Sequence, residues 1–169
     1  LGKILGGGFP LGAFGGRTDV MQKLAPVGPV YQAGTLSGNP VAVAAGLQTL
    51  DILGRTGNYE RLEALGERLA KGLTVAADAS GLPYCLQRVG SMCTLFFLPE
   101  AGPVHGWQQA QHADTVRYGR YFHALLARGV YAAPAQFEAA FVNLAMDETD
   151  VDDAVSAAHA ALAEIARAD

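Results

Sequence analysis

Lys3 is the residue whose type and surroundings most directly suggest covalent chemistry. It is one of three lysines, and it lies between apolar Leu1 and Ile4, just ahead of the triple glycine 6–8. A lysine amine forms a Schiff base with a carbonyl group most readily where an apolar environment or a nearby cation lowers its pKa. We expect Lys3 near the end of a strand. The alternative, which local sequence alone favours, is a strand-end lysine whose ammonium group simply reaches solvent.

A second candidate is the segment AGTLSGNP, residues 33–40, which precedes a predicted helix. Thr35 and Ser37 offer hydroxyl groups, and the unpaired N–H groups at a helix start attract anions such as phosphate. The alternative is a structural loop in which Ser37 and Asn39 bond to the neighbouring backbone. Taken by itself, the segment favours the structural loop.

Other familiar chemistries find little support in the sequence. Neither glycine-rich stretch fits the dinucleotide pattern GxGxxG or the phosphate-loop pattern GxxxxGK(S/T). Ser91 lacks the GxSxG setting of a hydrolase nucleophile, and the four histidines are scattered without a metal-binding pattern. Cys85 and Cys93 lack disulfide or metal spacing and are expected to be reduced thiols. A net charge of −4 argues against binding to nucleic acid or to an anionic membrane.

Capping residues and hydrophobic spacing predict the elements that position these side chains. Asn39 and Pro40 form a strong helix start, and a longer helix begins at Asn58. The full set comprises helices ending at Gly54 and Gly81, a hairpin of residues 84–89 and 92–98, a helix at 112–128, strands at 130–133 and 141–145, and a final helix at about 150–167. We therefore predict an α/β chain in two parts, a short first segment and a small α+β domain.

The two glycine-rich segments together resemble the lysine region of a known enzyme family. LGKILGGGFPLGAFGGR, residues 1–17, followed by GPVYQAGTLSGNPVAVAAG, residues 28–46, is similar to the pyridoxal-phosphate site of class III aminotransferases. The similarity continues through RYFHALLARGVYAAPAQFEAAFVNLA, residues 120–145, to the final helix. YQAGTLSGNP and QFEA are typical of the aminomutase branch of the family, which isomerises glutamate-1-semialdehyde to the tetrapyrrole precursor 5-aminolevulinate.

The resemblance implies a fold, a cofactor and partners. The fold would be the C-terminal portion of a fold-type I, aspartate-aminotransferase-like transferase. Residues 1–57 would be the end of its large cofactor-binding domain, and residues 58–169 its linking helix and small α+β domain. The cofactor would be pyridoxal 5'-phosphate, with the pyridoxamine 5'-phosphate form in the cycle. The partners would be a small amino-aldehyde substrate and a second copy of the chain, in a cytoplasmic homodimer whose cofactor site lies at the subunit interface.

The same resemblance implies roles for four residues. Lys3 matches the catalytic lysine that binds pyridoxal phosphate covalently. Thr35 matches the threonine that reaches the cofactor phosphate of the neighbouring subunit, with Gly34 beside it. Glu138, in QFEA, matches an acidic residue that faces the substrate pocket from the small domain. The alternative for Glu138 is a solvated carboxylate on a loop.

Two other functions stay open beside the aminomutase. Ala135 stands where the family usually has serine, and Met146 where it commonly has histidine, so another class III aminotransferase acting on a distant amine is one alternative. The other is a catalytically silent fragment that acts only as a folded or dimerisation piece. The sequence opens at Leu1, inside the site motif, so we expect it to be part of a longer chain. By resemblance, the residues that hold the cofactor ring would precede it.

Overall fold

The protein divides into two compact units. The structure, a computed structural model, describes residues 1–168. The first unit spans Leu1–Asn58, and the second begins at Tyr59. That these units belong to a large cofactor-binding domain and a small domain stays a prediction.

The first unit consists of turns and two helices. A 3-10 turn covers Lys3–Gly6, the short helix α1 covers Thr18–Met21, and the longer helix α2 covers Pro40–Leu53. Residues 1–58, all of which are described, form no strand ladder, and an isolated parallel bridge joins Leu24 to Val30. The prediction that Lys3 lies near the end of a strand is therefore wrong. The glycine-rich sequence explains this, because glycine is a poor strand former.

Helix α2 begins where the sequence predicts. The Asn39 side chain accepts hydrogen bonds from the N–H groups of Val41 and Ala42 at 3.1 and 3.2 Å. These bonds satisfy two of the four N–H groups that a helix start leaves free. Pro40 fits the first helical position because it has no N–H group to leave unpaired. The helix ends before Gly54.

The second unit combines four helices with a three-stranded antiparallel sheet. Strands β1, Tyr84–Val89, and β2, Met92–Phe97, form a hairpin, and β3, Ala140–Phe141, pairs with the first two residues of β2. The predicted hairpin is thus confirmed to within one residue. The helices are α3, Asn58–Ser80, α4, Trp107–Ala110, α5, Thr115–Leu126, and α6, Glu148–Ala166.

The core of the second unit lies between β2 and the helices α3, α5 and α6. Phe97, on β2, is completely buried and meets the rings of Tyr118 and Tyr121 at centroid distances of 6.4 and 5.4 Å. Leu162, on α6, is completely buried in the same core. Burying such side chains removes apolar surface from water, which is the main favourable contribution to folding.

The prediction of a strand at residues 130–133 is wrong. The backbone groups of this segment bond to α5 instead of to a neighbouring strand. The Val130 N–H group donates to the Leu125 carbonyl at 3.1 Å, and the Ala133 carbonyl accepts from the Tyr118 hydroxyl at 2.6 Å. These groups are therefore satisfied without a sheet partner.

Two other predicted elements are shorter than expected. The strand at 141–145 is reduced to β3, because the Asn143 side chain accepts from the Ala145 N–H group at 2.9 Å and turns the chain. The helix at 112–128 is reduced to α5, whose start is capped by Asp114.

Two features are absent from residues 1–168: a membrane-spanning helix and a cluster of metal-binding side chains. No helix there has both the length and the apolar character that crossing a membrane requires. No group of three or more histidine, cysteine or acidic residues gathers there as a metal ion would need.

Candidate functional site

Lys3 lies exposed in the opening 3-10 turn. Its φ angle is 51°, and among residues 1–168 it is the one residue other than glycine whose backbone lies in the left-handed region. That conformation costs about 1–3 kcal/mol, and such strain concentrates at functional sites. Within the described part of the chain, the Lys3 amine forms no hydrogen bond or ion pair. The amine is therefore available to a reacting partner.

The turn that bears Lys3 rests on α2 through two glycines. A Cβ atom at Gly46, on α2, would lie 2.6 Å from the Leu5 carbonyl oxygen. A Cβ atom at Gly7, whose φ angle is 58°, would lie 2.9 Å from the Ala45 carbonyl oxygen. Both distances are shorter than van der Waals contact, so a larger residue would displace the turn. Close backbone contact, made possible by glycine, thus positions Lys3.

Gly34 and Thr35 lie exposed in a turn just before α2. The Ser37 N–H group donates to the Gly34 carbonyl at 2.9 Å and closes this turn. The Asn39 side chain already accepts hydrogen bonds from two N–H groups of α2. Fewer free N–H groups therefore remain at the helix start to bind an anion than the sequence predicts. The Thr35 hydroxyl and the backbone of the turn remain as the groups that can hold a phosphate.

A shallow depression of about 590 Å³ brings the two glycine-rich segments together. Residues 10–14 line it together with residues from 32 to 38, Gly34 among them. At Gly2, Gly15 and Gly16 a Cβ atom would meet nothing within 4 Å, so packing within this chain does not explain these glycines. Open glycines let another molecule approach the backbone closely. Lys3 and Thr35 are not among the residues that line this depression. By their chemistry, the Lys3 amine and the Thr35 hydroxyl suit an aldehyde cofactor that carries a phosphate group.

Glu138 lies in the second unit, in the turn that precedes β3, and its side chain is exposed. Its N–H group donates to the Ala135 carbonyl at 3.1 Å. Glu138 and Tyr118 line the same cavity of about 330 Å³. Burial, and then the negative charge of Glu138, raise the pKa of the Tyr118 hydroxyl. This placement fits either of the two predicted roles, a substrate contact or a solvated carboxylate.

The turn that bears Glu138 is held by residues that the sequence analysis missed. Gln136 is 2% exposed, and its Oε1 atom accepts a hydrogen bond from the Phe97 N–H group at 3.1 Å. The Tyr118 hydroxyl bonds to the carbonyl of Ala133. The one signal in the sequence is that Gln136 is a polar residue within the otherwise apolar run AAPAQF, residues 132–137.

Solved structures show the class of fold to which this arrangement belongs. The chain superposes on an omega-transaminase from Sphaerobacter thermophilus with a TM-score of 0.82 and 31% identity, over 98% of this chain and 38% of that one. A transaminase solved with PLP bound gives a TM-score of 0.82 at 22% identity, over 99% of this chain and 38% of that one. The predicted fold is thus confirmed: the chain is α/β and corresponds to a portion of a fold-type I, pyridoxal-phosphate-dependent transferase.

Sequence matches define the family. Residues 1–162 match the family described as aminotransferase class-III. A glutamate-1-semialdehyde 2,1-aminomutase of Sorangium cellulosum (strain So ce56) is 55% identical over 163 residues, which is 96% of this chain and 37% of that protein. The enzyme of that name from Myxococcus xanthus (strain DK1622) is 51% identical over 167 residues, 99% of this chain and 38% of that protein. The chain belongs to the class III aminotransferases, and it spans a little over a third of the length of these curated relatives.

Proposed function

We propose that the chain is the lysine-bearing portion of a glutamate-1-semialdehyde 2,1-aminomutase. This enzyme converts glutamate-1-semialdehyde into 5-aminolevulinate by exchange of an amino group within the substrate, with pyridoxal phosphate as cofactor. The observation that supports the proposal most strongly is the identity of 51–55% with enzymes of that name over nearly the whole chain. The identity with the omega-transaminase is 31%.

Lys3 first holds the cofactor and then moves protons. Its Nζ atom is free of partners within residues 1–168, so it is the group that would hold the cofactor covalently through the aldehyde carbon. When bound, pyridoxal phosphate supplies an electron sink for negative charge that develops on the substrate carbon. Because Lys3 stays attached to the backbone, its amine would remain tethered within reach of the substrate carbon. It can then carry a proton between the substrate carbon and C4′ of the cofactor.

Three further residues bind and orient. The Thr35 hydroxyl and the Gly34 backbone hold the cofactor phosphate of the neighbouring subunit in a homodimer. Both residues lie exposed at the end of a turn, where a second chain can reach them. Glu138 presents its exposed carboxylate to the substrate pocket, where it can accept hydrogen bonds from an amino group. Each of these roles rests on the residue's match to the family motif together with its exposure.

The test of this function is the variant Lys3→Ala in the holoenzyme. We expect formation of 5-aminolevulinate to fall by about 10²–10⁴-fold, the usual contribution of a general acid–base group. The matched control is Lys23→Ala, which removes a second exposed lysine from the same unit and should leave the rate unchanged. A Lys3→Ala enzyme that retained a near-normal rate would overturn the proposal.

A second candidate is amino transfer from a distant amine to an external keto acid. It is favoured by the omega-transaminase, whose TM-score of 0.82 extends over 98% of this chain. The two functions differ in their need for an acceptor. The aminomutase forms 5-aminolevulinate from glutamate-1-semialdehyde alone, whereas the transaminase turns over only when both an amine donor and a keto acid are supplied.

A further inference from the structure

We propose that Gln136 and Tyr118 are positioning residues that hold the turn bearing Glu138 and so fix where its carboxylate stands in the substrate pocket. The inference rests on the proposed function, because the pocket role of Glu138 belongs to that proposal. It gives a role to two residues, Gln136 and Tyr118, that the family resemblance leaves without one, and it assigns them no contact with the substrate.

Gln136 is the first anchor. It is the one buried polar side chain in the described core, and its Oε1 atom accepts from the Phe97 N–H group at the end of β2. Phe97 is completely buried, so this bond joins the turn to the core of the unit. The Nε2 atom of Gln136 has no partner among residues 1–168. Burying an unpaired donor costs free energy. The hydrogen bond that the Gln136 oxygen accepts from Phe97 offsets part of this cost.

Tyr118 is the second anchor. From α5, its hydroxyl donates to the Ala133 carbonyl at 2.6 Å, one residue before the proline that opens the turn. Its ring packs beside Phe97, at a centroid distance of 6.4 Å. The two bonds therefore tie the turn to β2 and to α5, on both sides of the core. Glu138 follows two residues after the Gln136 anchor, too close in sequence to move independently of it.

The test is a double-mutant cycle in the holoenzyme. Gln136→Leu keeps the size of the side chain and removes the acceptor, and Tyr118→Phe keeps the ring and removes the hydroxyl. If each variant displaces the Glu138 carboxylate, each should raise KM for glutamate-1-semialdehyde by about tenfold or more, because a hydrogen bond to a charged group is lost. The value of kcat should change by less than about twofold. In a Glu138→Ala background, both effects on KM should vanish because the group being positioned is gone.

Tyr84→Phe is the matched control. The Tyr84 hydroxyl bonds to the Asp78 carboxylate at 2.6 Å, the same length as the Tyr118 bond, and its partner lies on α3 instead of on the turn. This variant should leave KM unchanged. Should Gln136→Leu fail to fold, Tyr118→Phe tests the proposal alone, since its ring packing is preserved.

The possible outcomes separate this inference from the proposed function. If KM rises equally with and without Glu138, or does not rise at all in an enzyme that still isomerises its substrate, the positioning role is wrong and the proposed function stands. If Glu138→Ala leaves KM unchanged, Glu138 does not contact the substrate. The positioning role of Gln136 and Tyr118 is then wrong as well. If Lys3→Ala retains activity, the proposed function itself is wrong.

Discussion

The two units of the chain are stabilised in very different ways. In residues 1–58 the one buried hydrophobic residue is Ala42, whereas the second unit has a core built from three helices and a sheet. The first unit exposes large apolar side chains instead, among them Leu1, Ile4, Phe14, Tyr31 and Leu47. Extensive exposed apolar surface is typical of regions that bind another protein, a ligand or a membrane.

The residues assigned to chemistry lie mainly in the unit that lacks a core. Lys3, Gly34 and Thr35 are exposed on turns of the first unit, and Glu138 is exposed on a turn of the second. A site built on exposed turns depends on protein outside the unit for its final geometry. The chain spans a little over a third of its curated relatives, which agrees with such a dependence. Stability and chemistry are thus divided between the two regions, and the predictions below test that division.

The largest expected effect comes from the core of the second unit. Leu162→Ala should lower the free energy of unfolding by about 2–5 kcal/mol, because it removes a completely buried side chain and leaves a cavity. Leu50→Ala, in the first unit, removes a side chain that is 50% exposed and should change the free energy by no more than about 0.5 kcal/mol. Urea denaturation followed by circular dichroism measures both. Comparable losses for the two variants would show that the first unit has a core of its own.

The second prediction concerns the contact that positions Lys3. Gly46→Ala places a methyl group 2.6 Å from the Leu5 carbonyl oxygen and should force the 3-10 turn away from α2. We expect a local cost of about 1–3 kcal/mol. The observable result should be weaker retention of pyridoxal phosphate by the holoenzyme, measured by its absorbance after dialysis.

The control for Gly46→Ala is Gly119→Ala, a glycine within helix α5 of the second unit. A Cβ atom at Gly119 would meet nothing within 4 Å, so this variant should stabilise the protein by about 0.4–1 kcal/mol. It should leave cofactor retention unchanged. If Gly46→Ala bound the cofactor as well as the unaltered enzyme, backbone contact with α2 would not be what holds Lys3 in place.

Elements that depend on local residues could be predicted from the sequence. Asn39 and Pro40 mark the start of α2, and Gly81 follows directly on the last residue of α3, because capping is decided within a few residues. The hairpin followed from two β-rich runs around Gly90. The segment 130–133 could not be predicted, because the bonds that occupy its backbone come from Leu125 and Tyr118, and their positions depend on tertiary packing.

The candidate site divides in the same way. The motif around Lys3 and the segment containing Thr35 could be identified because their residue types lie close together in the sequence. The left-handed backbone of Lys3 left no signal in the sequence, because lysine rarely adopts that conformation. Gln136 was missed because its partner, the Phe97 N–H group, is 39 residues away. Long-range contacts of this kind depend on tertiary packing, which residue types alone do not show.

The smallest expected effect compares one ion pair in each unit. In the second unit, Arg68 donates two hydrogen bonds to Asp152, at 2.6 and 2.7 Å, and links α3 to α6 across 84 residues. In the first, Arg17 donates to Asp19, two residues away. The arginine hydrogen bond lowers the pKa of each aspartate. The local pair can also form in the unfolded chain, so only the Asp152 pair should contribute a difference between the folded and unfolded states.

The sign of the pH dependence follows from the lowered pKa. Because folding lowers the pKa of Asp152, its contribution is present above the pKa of the unfolded chain and is lost as the pH falls through the folded value. Asp152→Asn should therefore lower Tm by a few degrees at most near neutral pH, and the difference should close in acid. Asp19→Asn should leave Tm unchanged throughout. A Tm difference for Asp152→Asn that persisted in strong acid would mean that packing, and not charge, joins the two helices at this point.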